Sequence, residues 1–502
     1  MPNCDGQHDG AARRSFGRRP GSERDRLNVM DMPTVVDAAH RIRNGEESAA
    51  RLTRRCLDVM ADANADLNAF VHIDIDGALA AAVAIDAVVT AGRGDELGPL
   101  AGVPFGVKDL EDCAGMPTTR GSRWFAHAPS KTVDSIHVAR LRAAGAIPIG
   151  KTATPEFGAW AYTASPLLGV TRNPWDLDRT PGGSSGGSSA AVSAGMVPFC
   201  TASDGGGSIR TPAAFTGLVG LRATYGRIAT FGDTHLAQNA VAGCVTTTVA
   251  DTALLLDVMA GPDGRDRTCL PPPVGNYSGA LGRLDPLGLR MAWSKDLGFA
   301  VVDPEVAAIC EQAAREFASA TSAVIVDRPF VLGDYTLTYA YMEGVDRFVG
   351  IDHTLWATRL DELDPLCAPA WEHLSRKTLP EAADVESARR DLVTAVAALF
   401  EDVDVLLTPM ASVAPFAAEG PMPTEINGVA VHAGMSVVLG FLASLVNLPA
   451  ISVPAGLTSD GLPVGLQIIG PRFREDLVLS AAAQYESAQP WPRHCPERGF
   501  AT

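Results

Sequence analysis

Thr180-Pro-Gly-Gly-Ser-Ser-Gly-Gly-Ser-Ser-Ala-Ala-Val-Ser-Ala-Gly-Met-Val-Pro-Phe-Cys-Thr-Ala-Ser-Asp-Gly-Gly-Gly-Ser-Ile-Arg210 is the stretch from which the fold is read. Its first part is too glycine-rich for packed surface and too local for a linker, because apolar sequence follows at once. Residues 190–194 are Ala-rich and helical, residues 197–201 have the apolar character of a short strand, and residues 204–208 bend again. A loop, a helix, a strand and a second loop in such close succession are the alternation of an α/β protein. Glycine permits positive φ and close backbone approach, and successive N–H groups in such loops can form an anion-binding nest.

Working outward, residues 33–71 read as helical, with Val36, Ala39 and Ile42 and then Leu52, Cys56 and Val59 at helical spacing. Residues 78–90 are Ala-rich and helical. Short apolar runs at 103–107, 146–149, 403–407, 450–453 and 464–469 read as buried strands, separated by helical stretches at 135–144 and 249–259. The expected fold is α/β: one large core with a mixed, mainly parallel central sheet covered by helices on both faces. Residues 1–30, rich in Gly and Arg, read as a disordered tail. Residues 31–490 form the domain, with a variable, pocket-shaping insertion at about 300–440, and 491–502 form a C-terminal tail.

The chain of 502 residues carries 41 Lys and Arg against 58 Asp and Glu, a formal charge of −17, which argues against a nucleic-acid partner. Nine scattered cysteines without a CxxC pair point to reduced thiols in a cytoplasmic protein, not to a zinc site or a disulfide framework. The best membrane candidate, the uncharged run at 433–446, falls short of the roughly 20 residues of a spanning helix and reads as a buried helix.

The first glycine loop lacks the Gly-Lys-Ser/Thr ending of a phosphate loop. Gly182-Gly-Ser184-Ser-Gly186 matches the G-x-S-x-G pattern, yet no apolar strand precedes it. The second loop sets three glycines before a hydroxyl, which suits a turn whose N–H groups face inward as an oxyanion hole. A base is then needed, and Lys108 lies at the end of the run 103–107, on the face of Pro104 and Gly106, small neighbours that leave room around the amine. A free lysine titrates near 10.4, so desolvation lowering it by about 3 units, at about 4 kcal/mol, makes it a base at neutral pH. A lysine paired with Asp109 or Glu111 is the plain alternative, and Lys151 is a rival in the same strand-end context.

Gly102-Val-Pro-Phe-Gly-Val-Lys-Asp109, Arg172-Asn-Pro-Trp175, the two glycine loops, Gly217-Leu-Val-Gly-Leu-Arg-Ala-Thr-Tyr-Gly-Arg227, Leu406-Leu-Thr-Pro409, Asn447-Leu-Pro-Ala-Ile-Ser-Val-Pro454 and Gly461-Leu-Pro-Val-Gly-Leu-Gln-Ile-Ile-Gly470 resemble successive blocks of the amidase signature family. The resemblance covers about residues 33–485. It implies an amide hydrolase with a Ser-cisSer-Lys triad: Ser208 as nucleophile, Ser184 as bridging serine after a cis peptide, and Lys108 as base. The N–H groups of Gly205, Gly206, Gly207 and Ser208 would receive the oxyanion. An acyl-enzyme forms and is hydrolysed, possible esterase activity accompanies amide cleavage, and no cofactor or metal is required. Asp204 and Arg210 are expected to pair across the nucleophile loop, and Ser185 either orients Ser184 or is a turn residue. Tyr339, Tyr341, Met342, Phe348 and Trp356 are candidates for apolar pocket walls, with core packing the plainer role for any one of them. Departures from the family pattern are Gly205 where Thr is usual, Gly243-Cys-Val-Thr-Thr247, and Arg222-Ala223 in place of Lys-Pro. The resemblance further implies a small-molecule amide substrate, no nucleic-acid or membrane partner, and a homodimer. A glutamine-hydrolysing subunit of an amidotransferase, or a non-catalytic binding protein on the same fold, are the alternatives.

Overall fold

The computed structural model describes residues 32–230, 239–283, 288–326, 330–348 and 353–496. The N-terminal tail therefore lies outside the described residues. Among the described residues fifteen strands run in chain order: β1 Phe70–Ile73, β2 Pro104–Lys108, β3 Ile147–Thr152, β4 Ala164–Ser165, β5 Gly169–Val170, β6 Phe199–Asp204, β7 Val219–Arg222, β8 Val241–Thr246, β9 Arg290–Trp293, β10 Val324–Ile325, β11 Val405–Pro409, β12 Glu425–Ile426, β13 Val429–Ala430, β14 Ala450–Leu457 and β15 Pro463–Ile469. Eleven of them make one sheet in the order β1-β3-β2-β6-β8-β7-β14-β15-β11-β9-β10, and the other four form two small hairpins.

Consecutive side chains on a strand point to opposite faces. Leu407, Ile451 and Ile468 accordingly join one apolar core with Phe105, Phe199 and Met291, whereas Leu406, Ala450 and Ile469 join a second core with Phe215, Leu439 and Leu442. The sheet is thus covered on both faces, as expected. Its direction differs from the expectation of mainly parallel strands. The β3-β2-β6 and β11-β9-β10 runs are parallel, but the six other neighbouring pairs are antiparallel. The physical reason is connection length: β14 and β15 are joined by a turn through Asp460 and Gly461, too short for a parallel crossover. Apolar runs mark buried strands without recording their direction.

Element boundaries follow local chemistry. The N-terminal helical pattern splits into Val35–Arg43, whose first turn is capped by Thr34, and Ala49–Leu67, capped by Ser48. The second helix ends at Asn68 in the left-handed conformation, so residues 70 and 71, the end of the stretch expected as helical, belong to β1 instead. The run at 433–446 becomes a short 3-10 turn, Ala433–Val437, and the fully buried helix Val438–Leu445. Among the described residues no helix is long and apolar enough to cross a membrane. The described residues of 353–402 contribute helices only, the longest being Leu379–Leu399 with a Thr378/Glu381 capping box. At the C-terminus, Trp491 donates to the Thr247 carbonyl and the Cys495 N–H to Ser193, which seats this segment on the core.

Candidate active site

Parallel neighbours β2 and β6 end together, and their carboxyl ends carry Lys108 and Ser203-Asp204. In α/β sheets this edge is where ligands bind. Lys108 is fully buried. Its backbone N–H donates to Thr201 Oγ1 at 3.0 Å, and its amine lies 2.8 Å from Ser184 Oγ, 2.8 Å from Ser185 Oγ and 3.0 Å from Ser203 Oγ. The room expected beside Gly106 is taken: a Cβ there would meet Cys200 Sγ at 2.7 Å and Thr152 Cγ2 at 2.8 Å. It is serine hydroxyls, therefore, that surround the amine.

The rival lysine is spent elsewhere. Lys151 donates to the Glu111 carbonyl at 2.7 Å and Thr118 Oγ1 at 2.9 Å, and sits 3.3 Å from Asp109 Oδ1. The Asp109 ion pair considered for Lys108 is thus made by Lys151.

The first glycine loop positions Ser184 by close backbone packing. The Gly183–Ser184 peptide is cis. A Cβ on Gly183 would stand 2.5 Å from the Trp160 carbonyl oxygen and 2.7 Å from the Tyr162 nitrogen. Ser185 donates to the Ser203 carbonyl at 3.4 Å, so its oxygen is left to accept from Lys108. The helix Gly186–Ser193 follows directly.

Partners of the buried Asp204 organise the second loop. Arg210 grips its carboxylate in a bidentate pair, Nε to Oδ2 at 2.8 Å and Nη2 to Oδ1 at 2.9 Å, and also donates to the Gly440 carbonyl and to Gln467. Arg222 donates to the Asp204 carbonyl at 2.5 Å. The N–H groups of Gly207 and Ile209 reach the carboxylate at 2.7 and 3.3 Å. Burial alone would raise the Asp204 carboxyl, but Arg210, with Arg222 and the Gly207 N–H, holds it well below the usual carboxylate range. Burial in turn lowers Arg222 to about 10, with Asp204 opposing. The N–H of Gly207, expected as an oxyanion donor, is therefore engaged in bracing the loop. Gly207 has φ +109°, open only to glycine.

A helix from the stretch expected as an insertion packs on this loop. A Cβ on Gly206 would fall 2.1 Å from the Tyr339 hydroxyl and one on Gly205 2.8 Å from Glu343 Oε2, so the helix Thr336–Phe348 lies directly against both glycines. Tyr339 stacks on Phe441 at 3.7 Å. Met342 is buried in the second core. Trp356 packs edge-on to Trp124 and Trp371, and Phe157 joins that aromatic group. Beside Phe157, Gly158 approaches Ser184: its Cβ would be 3.1 Å from the Oγ. Tyr341 is half-buried and makes no ring contact to these walls among the described residues, and the Phe348 side chain lies outside them. Ser203 and Arg222 are the residues that reading the sequence missed. The signal for Ser203 was a polar residue two positions after Thr201 on a buried strand; Arg222 stood among the departures as a change of residue type, with no hint of its partner.

Comparison with known proteins gives a consistent result. The protein-family model described as Amidase matches residues 51–479. An acylamidase of Rhodococcus erythropolis is 37% identical over 85% of this chain and 89% of its own length. A glutamyl-tRNA(Gln) amidotransferase component of Synechococcus sp. (strain RCC307) is 35% identical over 91% of this chain and 97% of its own. Among solved structures, a bacterial aryl acylamidase of the amidase signature enzymes superposes with a TM-score of 0.83 at 26% identity, over 92% of this chain and 97% of that one.

Proposed function

The chain belongs to the amidase family and is an amide hydrolase, and from that premise we propose that it cleaves neutral carboxamides through Ser208, Ser184 and Lys108 by way of an acyl-enzyme. The observation that carries the reading is the buried Lys108 amine held among three serine hydroxyls. A neutral amine has two N–H bonds and one lone pair. Ser185 and Ser203 accept the two N–H groups, which leaves the lone pair facing Ser184. Ser184 then gives its proton to Lys108 while taking that of Ser208, and the Ser208 oxygen attacks the substrate carbonyl carbon.

The N–H groups of Gly205, Gly206 and Ser208 stabilise the resulting oxyanion, each worth about 3 kcal/mol. Collapse breaks the C–N bond, the leaving nitrogen takes a proton from Ser184, and Lys108 returns one to Ser184. Water repeats the cycle on the ester and releases the acid. No resident metal or cofactor enters these steps.

The walls support a substrate class. Phe157 with Trp124, Trp356 and Trp371 flanks the Ser184 loop, and Tyr339 on Phe441 flanks the nucleophile loop. Flat apolar surfaces on both sides suit an aromatic or apolar acyl or aryl group, in keeping with relatives named acylamidase and aryl acylamidase. The test is a panel of acyl anilides, aliphatic amides and glutamine, with mass-spectrometric detection of acylated Ser208. Acylation in the parent and none in Ser208→Ala supports the reading; no acylation with any amide refutes it. The amidotransferase relatives favour a second reading, a glutamine-hydrolysing component of a larger complex. That reading requires glutamine turnover that rises sharply with a partner protein, whereas an active homodimer hydrolysing anilides excludes it.

A further inference from the structure

Behind Lys108 lies a second buried ionisable pair that the mechanism above does not use. Glu111 follows β2 by three residues, its N–H donating to the Lys108 carbonyl at 2.9 Å. Its carboxylate faces His137 of the helix Ile136–Ala143, Nε2 to Oε2 at 3.1 Å, with both side chains almost wholly buried. We infer that the Glu111–His137 pair is a positioning device that keeps the Lys108 amine neutral, His137 supplying the cation that balances Glu111 so that Lys108 does not.

The argument is a charge count. Lys151 and Asp109 stand 3.3 Å apart and balance one another. The thiols that interact electrostatically with Glu111, Cys200 and Cys244, are pushed up by burial and stay uncharged. His72, beside Lys151, is held below its ordinary value chiefly by burial and stays uncharged at neutral pH, which leaves Lys108, Glu111 and His137. Buried clusters avoid net charge, and two arrangements achieve this with Glu111 ionised. One pairs the carboxylate with a Lys108 ammonium beside a neutral imidazole; the other pairs it with imidazolium beside a neutral amine. Only the second gives a base. Geometry favours it, because the imidazole touches Glu111 while the amine turns to three hydroxyls. Burial acts to raise the Glu111 carboxyl, yet His137 foremost, then Thr201 and Lys108, bring it below its ordinary value.

This inference rests on the proposed triad, and one experiment separates the two. A serine-directed fluorophosphonate reports Ser208 reactivity without a known substrate, so its labelling rate is followed against pH in the full chain. His137→Gln leaves Glu111 uncompensated and should move the acid limb up by about one pH unit, a roughly tenfold loss of rate below the midpoint. Glu111→Gln removes the anion and should move the limb to lower pH. The double variant, which buries two neutral amides, should have its midpoint at or below that of the parent. A structural role alone would lower rates with every midpoint unchanged, and that result overturns the inference. Should the single variants fail to fold, the double decides: a midpoint above that of the parent overturns it as well. If Lys108→Met labels like the parent, the triad itself is wrong; if Lys108→Met is silent and the midpoints stay put, only the role of the pair is lost.

Discussion

Replacing Gly206 with alanine tests whether the insertion and the nucleophile loop act as one unit. The added Cβ would stand 2.1 Å from the Tyr339 hydroxyl, 2.3 Å from Cζ and 2.6 Å from Cε2, far inside van der Waals contact. The ring has little freedom to retreat because it stacks on Phe441 with the planes 11° apart. Overpacking of this kind costs about 1–3 kcal/mol, and loss of the stack adds about 0.5–1.5. If the loop yields instead of the ring, the Gly206 N–H leaves the oxyanion, a loss of about 10²–10³ in kcat. Gly206→Ala should therefore lower Tm by several degrees, kcat/KM by at least about a hundredfold, or both. Tyr339→Ala opens the space, so Gly206→Ala combined with Tyr339→Ala should be more stable than additivity predicts, with a coupling of about 1–2 kcal/mol in a double-mutant cycle read by urea unfolding. Gly205→Ala is the control, since it meets only the far end of the Glu343 side chain. A Gly206→Ala enzyme with parental Tm and kcat/KM, or a cycle that sums to zero, would refute the packing argument.

Lys151→Met should destabilise the chain by about 3–5 kcal/mol, because it leaves Asp109 buried without its cation, while surviving folded enzyme keeps the parental pH–rate limb; a shifted limb would make Lys151 part of the proton path. Asp204→Asn removes the anion between Arg210 and Arg222 and should lower stability by a similar amount in denaturant titration, and an unchanged midpoint would show that the two guanidinium groups are balanced elsewhere. Burial pushes Glu486 up to about 7, with Asp251, itself raised by burial to about 6, adding to it. The native carboxyl thus keeps a proton that the unfolded chain gives up, so its contribution is full below about pH 4.5 and gone above about 7. Glu486→Gln should be about 2 kcal/mol more stable than the parent at pH 8 and nearly equal at pH 4.5, and parallel unfolding profiles across that range would contradict it.

Local chemistry accounts for which parts of the fold could be read in advance. Residues 249–259 form the helix Val249–Met259 as expected, because Thr248 caps its first turn and apolar residues fill it. Runs such as 464–469 become the strand Pro463–Ile469 because two packed faces demand an unbroken apolar sequence. Strand direction was not legible. It depends on which distant strand lies alongside: β6 pairs parallel to β2 and antiparallel to β8 with no difference in its own residues that would announce it.

The site divides in the same way. Lys108, Ser184, Ser185 and Asp204 stand out because short-range constraints mark them: strand ends, and glycines that only close backbone packing explains. Ser203 was hidden because its one signal, a polar residue on a buried strand, names no partner until Lys108 is seen to reach it. The same holds for Tyr339 and Gly206, 133 positions apart in the chain and in contact only through the fold. Glu343 likewise comes up against the loop at Gly205 only through the fold. Lys108 and the glycine loops are thus marked by local motifs, whereas the packing of Tyr339 and Glu343 against Gly206 and Gly205 comes from long-range contacts.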